Sequence, residues 1–202
     1  MEKVPCRECG ALILPTTAED TGGVCMACKR GIRKSLEASR AYYDSLKAYD
    51  PARELWTFLV KRSSDDRGLA SLSKEERVYF AINLLEKEVY NGGFDQYFFN
   101  SSSDYNWIAV EGLREIRALQ SLKLVREAAN TLFGRDGPPA DQADRWRIMS
   151  SKAPHLSQQH RRESHLDRLD KEFYKDPDQL GERLTAYAKQ HGLVSRCERG
   201  TH

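Results

Sequence analysis

No apolar run in this 202-residue chain approaches the ~20 residues that a bilayer-spanning helix needs. The opening Met-Glu-Lys-Val-Pro-Cys lacks the apolar core of a secretory leader, so a cytoplasmic protein is expected. Charge of one sign is lacking as well. Lys+Arg 32 against Asp+Glu 30 leaves a formal +2, which by itself selects neither nucleic acid nor any other class of partner. Also missing are H-E-x-x-H, G-x-S-x-G, the P-loop and the dinucleotide fingerprint, so no catalytic signature is present. His155, His160 and His165 recur every fifth residue, which turns successive side chains ~140° apart on a helix and denies them a shared face for a metal. Strand alternation is almost absent beyond residue 30.

What is present begins with cysteine. Cys6, Cys9, Cys25 and Cys28 form C-x2-C-x15-C-x2-C, the spacing of a structural zinc site. A two-residue spacer lets one tight knuckle turn both sulfurs toward one tetrahedral ion, and Gly10 and Gly22-Gly23 supply the backbone freedom. So short a segment cannot bury enough apolar surface to fold alone, and bound Zn2+ would supply the missing free energy. Four thiolates leave no position open for water, so the ion is expected to be structural. Two disulfides or a redox dithiol are the alternatives. The missing leader disfavours the first, and the lack of a βαβ pattern disfavours the second. Lys29, Arg30, Arg33 and Lys34 follow the last ligand. They are either a solvated helix start or a basic strip that meets the phosphates of a nucleic acid. Cys197 reads as a spare thiol.

The remainder reads as helical. The expected organisation is a zinc-ribbon module over 1–30, a connecting helix over 31–50, a helical domain over 51–192 and a disordered tail over 193–202. Asp50-Pro51 and the capping box Ser73-Lys-Glu-Glu76 open helices, and Gly92-Gly93 interrupts the second of them. Phe94 to Phe99 then forms a short helical segment leaving at an angle. Ser101 to Asp104 is expected to be a turn and a new N-cap, and Ser121 the cap of the following helix. A short helix at Trp146, Ile148 and Met149 precedes a polar stretch through Arg162, and Asp176-Pro177 opens a last helix that Gly192 ends. The fold class is therefore all-α, with a small zinc ribbon in front.

The most distinctive stretch is Glu88-Val-Tyr-Asn-Gly-Gly-Phe-Asp-Gln-Tyr-Phe-Phe-Asn100. Its Glu88, Val89, Asn91, Gly92, Gly93, Phe94, Gln96, Tyr97, Phe98 and Asn100 match an E-V-x-N-G-G-F-x-Q-Y-F-x-N core, and in this the chain resembles the DNA mimic protein 19 family of bacterial domains. The resemblance covers Asp50 to Gly192 and leaves out the cysteine cluster. It implies an all-helical domain that acts by binding a protein, in the named case a DNA-binding regulator sequestered by carboxylates laid out like duplex DNA. Such mimicry needs a strongly negative surface, and the +2 balance here argues against it. The resemblance therefore carries over the fold and protein binding.

Two readings of the stretch stand side by side. In one it is scaffold: Phe94, Tyr97 and Phe98 fill the core, Asn100 caps, and Glu88, Asn91 and Gln96 satisfy backbone groups freed at the break. In the other, Glu88, Asn91, Asp95, Gln96 and Asn100 line a polar pocket. The functional expectation is a non-enzymatic protein-interaction or regulatory module. Nucleic-acid binding led by the ribbon is the alternative, followed by an enzyme built on a Glu88 of raised pKa.

Overall fold

The computed structural model describes residues 2–45, 49–64, 68–151 and 156–194. The chain divides into two compact units, 1–50 and 51–202. In the first, β1 (Val4–Pro5) pairs antiparallel with β2 (Leu12–Ile13), placing Val4 opposite Ile13. The helices α1 (Pro15–Thr21), α2 (Met26–Lys29) and α3 (Arg33–Ser45) follow. Among the described residues of this unit only Cys6 and Cys25 are buried. The described residues of this unit build no apolar core, and their buried centre is made of sulfur.

The second unit begins with α4 (Pro51–Ser63) and a 3-10 turn, Gly68–Ser71. The long helix α5 (Lys74–Phe99) is its axis. Ser73 Oγ accepts from the Glu76 N–H at 3.2 Å and the Glu76 carboxylate accepts from the Ser73 N–H at 2.7 Å, so the capping box forms as its sequence dictates. Arg62 closes the same corner by donating to Glu76 at 3.0 Å. After a 3-10 turn at Ser101–Tyr105 come α6 (Asn106–Glu115), α7 (Leu119–Phe133), α8 (Gln142–Ser150), α9 (Leu156–Phe173) and α10 (Leu180–Gln190). Each of α4 and α6 to α10 packs on α5. The core runs from Leu55 and Leu59 through Ile82, Leu85, Val89, Phe94, Tyr97 and Phe98 to Leu113, Val125, Phe173 and Leu184. No helix among the described residues is long and apolar enough to cross a membrane.

Five expectations need correction. Helix α9 starts at Leu156 and runs through the polar stretch, because Leu166, Leu169 and Phe173 anchor one face while its first turns stand in water. Ser121 does not cap α7. The helix starts two residues earlier, and buried Asp178 reaches from before α10 to accept the Ser121 N–H at 2.6 Å. Asp104 caps no helix either: α6 has no side-chain cap, and Asp104 takes a guanidinium instead. Helix α10 opens at Leu180 and not at Asp176-Pro177, because Asp176 (φ 47°) and Gln179 (φ 55°) are left-handed and interrupt any helix between them. Asp176 still serves the helix start by accepting the Leu180 N–H at 2.9 Å. The expected tail over 193–202 starts too early, because Leu193 is buried in the core and Val194 packs against it; His155 and residues 195–202, Cys197 among them, lie outside the described residues.

Candidate metal centre and the helix break

The ribbon's hairpin and the N-terminus of α2 carry the four cysteines to one point. The turn after Cys6 closes with the Gly10 N–H on the Cys6 carbonyl at 2.9 Å, and Gly10 takes φ 70° there. The Arg7 N–H on the Gly23 carbonyl at 3.0 Å ties the first knuckle to the second. Sulfurs of Cys6, Cys9, Cys25 and Cys28 all lie within 4.8 Å of one another, and Cys9 and Cys25 are 3.7 Å apart. A tetrahedral ion with Zn–S ~2.3 Å would hold sulfurs ~3.8 Å apart, so the donor set fits such an ion in both type and spacing. Backbone amides point at the sulfurs: the Cys25 N–H donates to Cys6 Sγ at 3.1 Å and the Cys28 N–H to Cys25 Sγ at 3.4 Å. The first of these pulls the Cys6 thiol down to about 6, whereas burial pushes Cys28 up to about 12.

The basic strip is not continuous. Lys29, Arg30 and Lys34 are exposed, but Arg33 turns inward and donates to Cys9 Sγ at 2.5 Å.

The second candidate site is the bend in α5. Gly92 (φ −161°, ψ 26°) and Gly93 (φ 76°, ψ −177°) leave helical geometry, and the Gly93 combination is open only to glycine. The bend folds the chain after it back toward Glu88. Its carboxylate accepts from Gln96 Nε2 at 2.7 Å, Asn100 Nδ2 at 2.9 Å and Ser102 Oγ at 2.9 Å. Residues eight to fourteen positions apart would not meet on a straight helix. The backbone N–H freed at the break, that of Phe94, donates to Asp170 of α9 at 2.8 Å. Sequence reasoning assigned that task to Glu88, Asn91 and Gln96, and the structure corrects it: Glu88 and Gln96 bond each other, and Asn91 is exposed. Phe94 and Tyr97 are fully buried, and Phe94 meets Phe173 edge-on at 5.4 Å. Asp95 points outward and lines a cleft of about 420 Å³ with Phe99, Met149, Arg162 and Asp170.

Burial opposes ionisation of Glu88, but the hydrogen bonds from Gln96, Asn100 and Ser102 outweigh it and hold the carboxyl below its usual range. The raised pKa that an acid–base catalyst at this position would need is not found. A depressed carboxyl contributes stability above its unfolded value, ~4.3, and loses it as pH falls through the lower folded value. Glu88→Gln should cost about 1–2 kcal/mol at pH 7, because an amide turns donors toward donors. The gap between the urea midpoints of wild type and variant should close between about pH 5 and about pH 3. A gap independent of pH would show that the charge is irrelevant.

Gly93→Ala should be more damaging. A Cβ there overlaps the Asp170 carboxylate, which the Phe94 N–H holds in place, and it adds the strain of a glycine-only conformation. Chemical denaturation should show a loss of about 2–4 kcal/mol. A loss under about 0.5 kcal/mol, typical of a neutral surface change, would contradict the described bend.

Arg145 was missed from sequence altogether. It is fully buried in α8 and donates to the carbonyls of Phe98 (2.9 Å), Asn100 (3.1 Å), Pro139 (3.0 Å) and Ala140 (2.8 Å) and to Asp104 (2.5 Å). The one available signal is its place four residues before inward-facing Met149, on the buried side of an otherwise polar helix. Its fork ties the end of α5 to the loop before α8.

No curated protein and no solved structure matches this chain. A family model described as DMP19-like protein matches residues 70–191, which takes in α5, its glycine break, the Glu88 cluster and everything through α10. That span is more than half of the chain, and the chain belongs to the DMP19-like family.

Proposed function

We propose that the helical unit is a non-enzymatic protein-binding module and that the four cysteines hold a structural Zn2+. The observation that carries the first part is the state of Glu88. Its carboxylate is ionised and accepts from three side-chain donors of its own chain, so it braces the bend. What the bend offers to a partner is its outer side: Asn91, Asp95 and Phe99 are exposed, and Trp146 stacks on Phe99 at 5.2 Å. Exposed aromatics beside a carboxylate-lined cleft suit a protein partner that presents basic and apolar side chains. DNA mimicry does not suit this surface, because its carboxylates are interleaved with cations. Glu111 pairs with Arg114 at 2.6 Å, Asp167 with Lys171 at 2.6 Å and Glu172 with Lys175 at 2.7 Å. For the metal, the support is a donor set of four cysteine sulfurs at tetrahedral spacing in a unit whose described residues build no other core. A regulatory or neutralising role and a cytoplasmic, bacterial setting agree with this reading.

The test is affinity capture from native lysate with nuclease treatment, comparing wild type, Asp95→Lys/Phe99→Ala and Cys6→Ser/Cys9→Ser, followed by reconstitution with the purified partner. A discrete protein lost with the Asp95/Phe99 variant supports the reading. Recovery of nucleic acid instead, weakened by salt and by charge reversal of Lys29, Arg30 and Lys34, would overturn it.

A further inference from the structure

We infer that Arg33 is a positioning residue of the metal centre, setting how firmly the cluster keeps its ion; this rests on the zinc reading above. Four thiolates around a divalent cation carry a net charge of −2. Arg33 brings the one cationic side chain found against those sulfurs among the described residues. Its Nη2 lies 2.5 Å from Cys9 Sγ and 3.7 Å from Cys25 Sγ. It therefore spans both knuckles, one sulfur from each C-x-x-C pair.

The local chain delivers it there. Helix α2 ends in a turn with the Gly31 N–H on the Cys28 carbonyl at 2.9 Å and the Ile32 N–H on the Ala27 carbonyl at 2.9 Å. Gly31 takes φ 69°, so the chain reverses and α3 starts with its first side chain facing back at the cluster. Arg33 is only 19% exposed, whereas its other ionic neighbour, Glu37 at 3.7 Å, is 60% exposed. The sulfurs are the dominant partner, because the carboxylate is largely screened by water.

A guanidinium on thiolate sulfur does two things. It offsets part of the excess negative charge, and its N–H occupies a sulfur lone pair that would otherwise be open to a proton or an electrophile. Hydrogen-bond partners of metal ligands typically change metal affinity 10- to 100-fold when removed. Arg33 would thus act on the ion through Cys9 and Cys25 without touching it. Lys29, Arg30 and Lys34 are left as the exposed basic residues.

The full-length chain tests this. Zinc content by elemental analysis comes first, then the rate of zinc transfer to a chromogenic chelator, for wild type, Arg33→Met, Arg33→Lys and Lys34→Met. Expected are one zinc per chain, transfer at least about 10-fold faster in Arg33→Met, partial recovery in Arg33→Lys and no change in Lys34→Met. In cobalt-loaded protein the sulfur-to-cobalt charge-transfer band should move to longer wavelength in Arg33→Met while the tetrahedral d–d bands stay. That shift reports electron density on sulfur and would not follow from a structural defect alone. Transfer rates and band positions equal to wild type in Arg33→Met would overturn the role of Arg33 and leave the metal site standing. Should Arg33→Met fail to load, Arg33→Lys decides by the same two readouts. A wild-type chain that takes up neither zinc nor cobalt would sink the metal reading itself.

Discussion

Arg145→Met should lower the stability of the helical unit by about 3–5 kcal/mol, the range for removing one partner from a buried charged network. Methionine fills similar space but returns none of the hydrogen bonds. Where the guanidinium was fully buried, the carbonyls of Pro139 and Ala140 lose the donor it supplied, and those of Phe98 and Asn100 keep only the longer Ser103 contacts at 3.3 and 3.2 Å. Each carbonyl left unsatisfied costs about 1–3 kcal/mol, and water entering from the loop side would recover part of the sum. Asp104 is 37% exposed and can be rehydrated, so its loss contributes less. Arg145→Lys should recover only a minority of the loss, because an ammonium cannot fork toward acceptors both at the end of α5 and in the loop before α8. Urea unfolding followed by circular dichroism measures the effect, and Trp146 fluorescence reports the neighbouring loop. A loss below about 1 kcal/mol, the worth of one ordinary hydrogen bond, would mean that Arg145 does not hold this corner.

Removing the metal should erase the first unit and spare the second. Structural zinc supplies about 10–16 kcal/mol in small cysteine-ligated modules, far beyond what a unit whose buried described residues are Cys6 and Cys25 could otherwise collect. Chelation, or Cys6→Ser/Cys9→Ser, should collapse the amide dispersion of residues 2–45 in a heteronuclear spectrum. Among the described residues the core of the helical unit starts at Leu55, so the main urea transition should keep its midpoint. Dispersion that persists after verified metal loss would show that the hairpin and its helices fold on their own. Loss of the main transition would show that the helical unit needs the ribbon. The two variants also differ in kind: Arg145→Met acts on the cooperative core, and chelation acts on a unit held at one point.

Several features were legible because their causes are local. The C-x2-C spacing places two sulfurs on one knuckle whatever follows. The Ser73–Glu76 box and the Gly92-Gly93 break need only residues within a turn of each other, and both stand where they were expected. The family signature was likewise a contiguous string, and it marks the stretch the helices pack around.

Partners of polar side chains were not legible. Asp170 takes the N–H freed at the break from 76 positions away, Asp178 takes that of Ser121 from 57, and Arg145 reaches Phe98 across 47. Local pattern assigned those tasks to neighbours, Glu88 and Ser121 among them, because a neighbour with the right chemistry is the cheapest guess. Which donor finds which acceptor depends on where packed helices bring side chains once the core has closed, and an orphan backbone group accepts any partner that arrives in geometry. Arg33 shows the same division. Its charge was plain from sequence and read as part of an outward strip, whereas the turn at Gly31 aims it at Cys9. By itself the sequence determined the four-cysteine cluster, the helical class and the broken central helix. Tertiary packing alone decided that Glu88 is a brace, that Arg145 is a buried tie and that Arg33 faces sulfur. Hydrophobic periodicity and spacing act within a few residues, whereas desolvated polar groups are paired across the whole fold.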